Sequence, residues 1–161
     1  MKKENDFKTP QHSMQIKEVK AKDIWSLRRG VMWPEKEVSY VQLPEDELGR
    51  HYGLYVGEEL VSVVSLFVEG QRAQFRKFAT LPQHQGKGCG TSLLKHLIKE
   101  AATQGVTRLW CNARQDKASF YERFGLVKTD QSFTKGGIAY VVMEGGVRTL
   151  VVERAAGSTM E

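Results

Sequence analysis

The sequence predicts an α+β fold with α, β and α layers: a mixed, mostly antiparallel central sheet of about six to seven strands, with helices on both faces. Three observations carry that expectation. β-rich apolar runs come in groups, three between Tyr52 and Leu81 and two between Leu126 and Met143. Amphipathic segments at helical spacing interrupt these groups, so the order reads β-α-βββ-α-β-α-ββ, whereas a parallel sheet would need regular βαβ alternation. Finally, 161 residues with a 40% hydrophobic fraction suit one domain with its own core.

The elements follow in order. The first 13 residues, MKKENDFKTPQHS, lack periodicity and read as a flexible tail; the domain proper is expected over 14–144. Met14 and Ile16 alternate with polar neighbours as a short strand, although Val19 falls out of phase. Ala21 to Trp33 carries Ile24, Leu27 and Val31 at helical spacing, and Pro34 stops it. Glu35 to Arg50 is acidic and irregular, a loop with a short helical turn at Glu45 to Gly49. Tyr52 to Val56 and Leu60 to Val68 flank Gly57-Glu58-Glu59, a hairpin pattern, and Gln74 to Leu81 adds a third strand.

Thr91 to Ala102 then places Leu93, Leu94, Leu97, Ile98 and Ala101 on one helix face. Val106 to Asn112 reads as a strand, and Asp116 to Phe124 as a short helix capped by Gly125. Leu126 to Thr134 and Ile138 to Met143 close as a hairpin across Lys135-Gly136-Gly137. Residues 145–161 form a C-terminal extension whose apolar patch, Leu150 to Val152, fits an extra strand, an interface arm or a frayed tail.

Charge and cysteine content narrow the classes. The net charge is +5, but Lys and Arg are scattered, with Arg28-Arg29 and Arg76-Lys77 the only doublets outside the N-terminal tail. Aromatics do not interleave with them, so a nucleic-acid partner is not expected. No apolar run is long enough to span a membrane, and the first 13 residues lack the apolar stretch of a secretion signal, so export by that route is not expected. Cys89 and Cys111 read as reduced residues of a cytoplasmic protein. His12, His51, His84 and His96 share no ligand spacing, so no metal is expected.

The most informative stretch joins the third strand to the long helix: Gln85-Gly86-Lys87-Gly88-Cys89-Gly90-Thr91. Glycines let a backbone approach a ligand and turn its N–H groups inward. The following helix adds free amides and the positive end of its dipole, and Lys87 adds a full charge. The stretch therefore reads as an anion cradle suited to phosphate or pyrophosphate. A Walker A loop is excluded because Leu81 stands where its first glycine belongs; a dinucleotide fingerprint fails at Thr91 or Leu93, depending on frame.

Gln85 to Gly90 resembles the Gln/Arg-x-x-Gly-x-Gly/Ala motif of the GCN5-related N-acetyltransferases, and the likeness extends over roughly Met14 to Glu144. It implies an acyl-CoA N-acyltransferase-like fold with acetyl-CoA as cosubstrate. By that likeness Phe78, Ala79 and Thr80 meet the pantetheine arm, while Gln85, Gly86, Lys87, Gly88, Cys89, Gly90 and Thr91 hold the pyrophosphate. Tyr121, in a segment similar to the family's closing helix, would protonate the departing thiolate; otherwise it packs with Phe124. Where many relatives carry Asn, this chain has Arg114, and Asn112 stands in two residues earlier. The strand before the loop lacks the carboxylate that often serves as base, leaving Glu69, His51 or water. Trp33 and Tyr40 either wall the acceptor site or simply pack.

The resemblance implies acetyl transfer to a small-molecule amine, with a homodimer left open; because the sequence offers no Ser-His-Asp or Cys-His nucleophile set, direct attack in a ternary complex is expected. The alternative is a non-catalytic acyl-CoA-binding module.

Overall fold

The structure, a computed structural model, describes residues 13–150. Along them run β1 (Met14–Val19), α1 (Ala21–Met32), α2 (Val38–Val41), β2 (Arg50–Val56), β3 (Glu59–Glu69), β4 (Arg72–Thr80), α3 (Cys89–Thr103), β5 (Arg108–Arg114), α4 (Ala118–Glu122), β6 (Val127–Lys135) and β7 (Ile138–Gly146). Single 3-10 turns sit at Asp46–Leu48, Pro82–His84 and Gln115–Lys117. The expected order is present throughout. The addition is α2, four residues whose Val-Ser-Tyr-Val carries no helical signal of its own. The expected helical turn before β2 is the 3-10 turn at Asp46–Leu48.

The strands form one seven-stranded sheet in the order β1-β2-β3-β4-β5-β7-β6. β1 pairs antiparallel with β2, and β7 pairs antiparallel with both β5 and β6. β4 and β5 are parallel, joined through α3, which makes the sheet mixed as the grouping of strands required. Their ladder covers Arg72–Gln74 against Arg108–Trp110, at the start of both strands.

The chain divides into two compact units. Among the described residues, the first comprises residues 13–65 with Lys77–His96. Its core unites Ile24 and Leu27 of α1 with Val63 of β3 and Ala79 of β4; Val19, Leu60 and Leu81 close around them. Helical spacing explains the α1 face: Ile24, Leu27 and Arg28 are its buried turn, three and four residues apart.

The second unit comprises Leu66–Arg76 and, among the described residues, 97–150. It buries Leu97, Ile98 and Ala101 of α3 with Leu109 of β5 and Met143 of β7. β7 extends two residues past Glu144, and residues 147–150 are helical. Val147 and Leu150 are buried there, with Leu150 packed at Gly145. Val151, Val152 and residues 1–12 lie outside the described residues. Among the described residues no helix is long and apolar enough to cross a membrane, and no cluster of His, Cys, Asp or Glu could hold a metal.

Candidate active site

The glycine loop lies where the sequence located it, between β4 and α3, in the first unit. Gly86 and Gly88 adopt φ of 77° and 87°, the left-handed region that glycine enters without a Cβ penalty. A Cβ at either position would meet no atom within 4 Å. Their requirement is therefore backbone conformation, and the surface above them is open to a ligand. Helix α3 begins at Cys89, two residues earlier than the apolar pattern suggested, so its first turn is built from the motif itself. Its first backbone bond runs from Ser92 N–H to the Gly88 carbonyl, which leaves the amides of Cys89, Gly90 and Thr91 as the end groups that an α-helix cannot pair internally. Gln85, Lys87 and Gly88 are exposed, and Cys89 is buried. Burial pushes the Cys89 thiol up while the Lys87 charge pulls it back. The loop offers backbone N–H groups and one lysine, the donor set for an anion.

The third glycine is placed differently. A Cβ on Gly90 would sit 3.4 Å from Cζ of Phe78 and 3.8 Å from the Thr80 hydroxyl. These are ordinary van der Waals distances, so the first turn of α3 lies against the end of β4 without depending on the missing Cβ. Phe78 and Thr80 are half-buried and Ala79 is buried. Thr80 is engaged at its hydroxyl and its carbonyl: the hydroxyl meets Ser62 Oγ at 2.8 Å, and the carbonyl accepts from Gln85 Nε2 at 2.9 Å. Ser62, fully buried on β3, also donates to the Ala79 carbonyl at 3.2 Å. The sequence reading passed over Ser62. Its signal was a hydroxyl inside the apolar run Val61–Val64, where burial demands a partner.

Lys77 has φ of 57°, the left-handed region that non-glycine residues rarely enter. Alternation of side chains along β4 depends on regular extended backbone, and that regularity breaks at Lys77. Arg76 places its guanidinium 5.9 Å from the Phe67 ring centre.

Tyr121 lies in the second unit, on α4, between the Phe75 ring at 5.7 Å and the Phe120 ring at 5.2 Å. Burial, and then the neighbouring Cys111 thiol, push its phenol above the ordinary range. The O–H therefore stays protonated at every ordinary working pH. Asn112 is exposed on β5, opposite Val142 of β7.

His51 is not a base. It is buried, with Nδ1 2.7 Å from Ser65 Oγ and Nε2 2.8 Å from the Asp46 carbonyl, so both ring nitrogens serve the fold. It belongs to a buried network centred on Arg28, which the sequence reading counted only as half of a basic doublet. Arg28 pairs with both oxygens of Asp46 at 2.9 and 3.2 Å and also donates to Val41 O and Ser65 Oγ. That arrangement ties the segment after α1 to the helix itself. Trp33 and Tyr40 meet edge to face at 5.2 Å, and Lys36 lies over the Tyr40 ring.

Comparison with known proteins agrees with this layout. A model of the acetyltransferase (GNAT) domain matches residues 33–145. The uncharacterized N-acetyltransferase YitI of Bacillus subtilis (strain 168) is 27% identical over 146 residues, covering 84% of this chain and 98% of that protein. A GNAT family acetyltransferase from Elizabethkingia anophelis, solved with acetyl-CoA bound, superposes with a TM-score of 0.68 at 16% identity, covering 84% of this chain and 99% of the other. An aminoglycoside 6'-N-acetyltransferase complexed with coenzyme A does so with a TM-score of 0.68 at 16% identity, covering 83% and 97%. Acetyl-CoA-dependent N-acetylation is the general reaction of such enzymes. With the glycine loop between β4 and α3 and a matching domain over most of its length, the chain belongs to the GNAT acetyltransferase family.

Proposed function

We propose that this protein transfers the acetyl group of acetyl-CoA to a primary amine of a small molecule, by direct attack of the amine within a ternary complex. The observation that carries the reading is the loop Gln85–Thr91, with two left-handed glycines open to approach and a helix N-terminus behind them. Its amides and Lys87 suit the pyrophosphate of CoA, and the backbone of Phe78–Thr80, with Asn112, suits the pantetheine arm. The related aminoglycoside enzyme supports an amine on a small molecule as acceptor.

In this reaction the amine nitrogen attacks the thioester carbonyl, the C–S bond breaks, and the thiolate of CoA leaves. The thiolate takes a proton and the new amide loses one to solvent or base. Tyr121 is assigned as the thiolate's proton donor by the likeness of its segment to the family's closing helix, and burial keeps its O–H protonated at working pH. Cys89 is buried and its thiol is held protonated, which speaks against an acyl-enzyme at that residue.

A screen of amines against acetyl-CoA, read by thiol release, tests the reading. Turnover with a subset of amines is expected, and Tyr121→Phe should lower that turnover about a hundredfold or more while acetyl-CoA affinity is unchanged. Acetyl-CoA binding without turnover on any amine or peptide would make the chain a CoA-binding module instead. Full turnover by Tyr121→Phe across pH would remove Tyr121 from the chemistry.

A further inference from the structure

Resting on the reading of Gln85–Thr91 as the acyl-CoA loop, we propose that Ser62 is a positioning residue for that loop, acting through Thr80 and without touching the ligand. Proton counting fixes the direction of the bonds. The Ala79 carbonyl can only accept, so the single Ser62 proton goes to it across 3.2 Å. Thr80 must then donate its own hydroxyl proton to Ser62 across 2.8 Å. The Thr80 carbonyl accepts from the Gln85 side chain at 2.9 Å, and Leu81 N–H donates to Val61 O at 2.8 Å.

The two carbonyls that end β4 are therefore each held by a side chain. The 3-10 turn Pro82–His84 lies inside the ring closed by Gln85 and Thr80, and the loop glycines begin at the next residue. Gly90 rests on the same Thr80 side chain from above. A chain segment that must hold Gly86 and Gly88 in the left-handed region needs a fixed origin, and Ser62 supplies it from the fully buried floor of β3. The Thr80 hydroxyl proton is committed to Ser62, so that hydroxyl has no proton left to donate to pantetheine.

The full-length protein tests this in two independent arms. In the first, acetyl-CoA affinity is measured for wild type, Ser62→Ala, Thr80→Val and Thr80→Ser. The first two variants should bind about tenfold more weakly, Thr80→Ser should match wild type, and Ser62→Ala with Thr80→Val should be no worse than either alone. In the second arm, amide exchange of Leu81, His84 and Gln85 is followed without ligand. Ser62→Ala or Thr80→Val should speed these amides about tenfold, while those in the core of α3 keep their protection.

Wild-type affinity in Thr80→Val together with unchanged exchange would overturn the proposal, as would equal losses in Thr80→Ser and Thr80→Val. If wild type bound no acetyl-CoA, the reading of the loop would fail. The exchange arm would still judge the Ser62 assignment: faster turn amides would uphold it and unchanged ones would reject it.

Discussion

Asp46→Asn should be among the most damaging conservative substitutions in the chain. Asp46 and Arg28 are 2% and 0% exposed, so their charges have left water together. Oδ2 of Asp46 accepts from Arg28 Nη1 at 2.9 Å, Trp25 Nε1 at 3.0 Å and Leu43 N–H at 2.8 Å, while Oδ1 accepts from Arg28 Nη2 at 3.2 Å. An asparagine can satisfy the first three with its one oxygen, but its NH2 group then faces Arg28 Nη2, donor against donor. One bond is lost and a buried guanidinium keeps its charge without a counter-charge. Removal of one partner from a buried pair costs about 3–5 kcal/mol. For a chain of 161 residues that corresponds to roughly 10 °C in Tm.

Thermal and urea unfolding measure the loss, which should persist at high salt because buried pairs are little screened. Burial alone would raise the Asp46 carboxyl, but the Arg28, Leu43 and Trp25 hydrogen bonds and the Arg28 charge together hold it below its usual range. Stability from Asp46 is thus present above about pH 4 and lost as pH falls through its folded value, so Asp46→Asn should flatten the acid limb of the stability profile. A loss below about 1 kcal/mol, or an unchanged acid limb, would refute the reasoning.

Two further outcomes follow from the same geometry. Gly88→Ala places a Cβ in the left-handed region at φ 87°, so it should cost about 1–2 kcal/mol of stability and most of the acetyl-CoA affinity, read by denaturation and calorimetry. Cys111 is buried and its thiol is pushed up to about 12, so its contribution is intact below pH 9 and is lost as pH rises toward 12. Cys111→Ala should accordingly lose about 1 kcal/mol less than wild type between pH 9 and pH 10, in urea unfolding.

The parts legible in the sequence were those written in a local code. Helical spacing of Leu93, Leu94, Leu97 and Ile98 located α3, and glycines beyond the last strand of the meander located the loop. What stayed hidden depended on distant partners. Arg28 sits at the position after Leu27 and four residues after Ile24, on the inward face of α1, but nothing local names Asp46 as the residue that makes its burial tolerable. Ser62 likewise reads as an interruption in an apolar run until β4 supplies the Ala79 carbonyl and the Thr80 hydroxyl. α2 has too few residues to show a period, and its boundaries follow from the chain being tied down at the Val41 carbonyl and Asp46 by Arg28. His51 was a plausible base from its residue type alone; only the structure shows both nitrogens spent.

Calorimetric titration of the full-length protein with acetyl-CoA, and separately with NAD, tests the central claim most directly. A loop built for the acyl-CoA pyrophosphate predicts one saturable site for acetyl-CoA, abolished or strongly weakened in Gly88→Ala, and no binding of NAD. No acetyl-CoA binding, binding indifferent to Gly88→Ala, or binding of NAD in its place would contradict it.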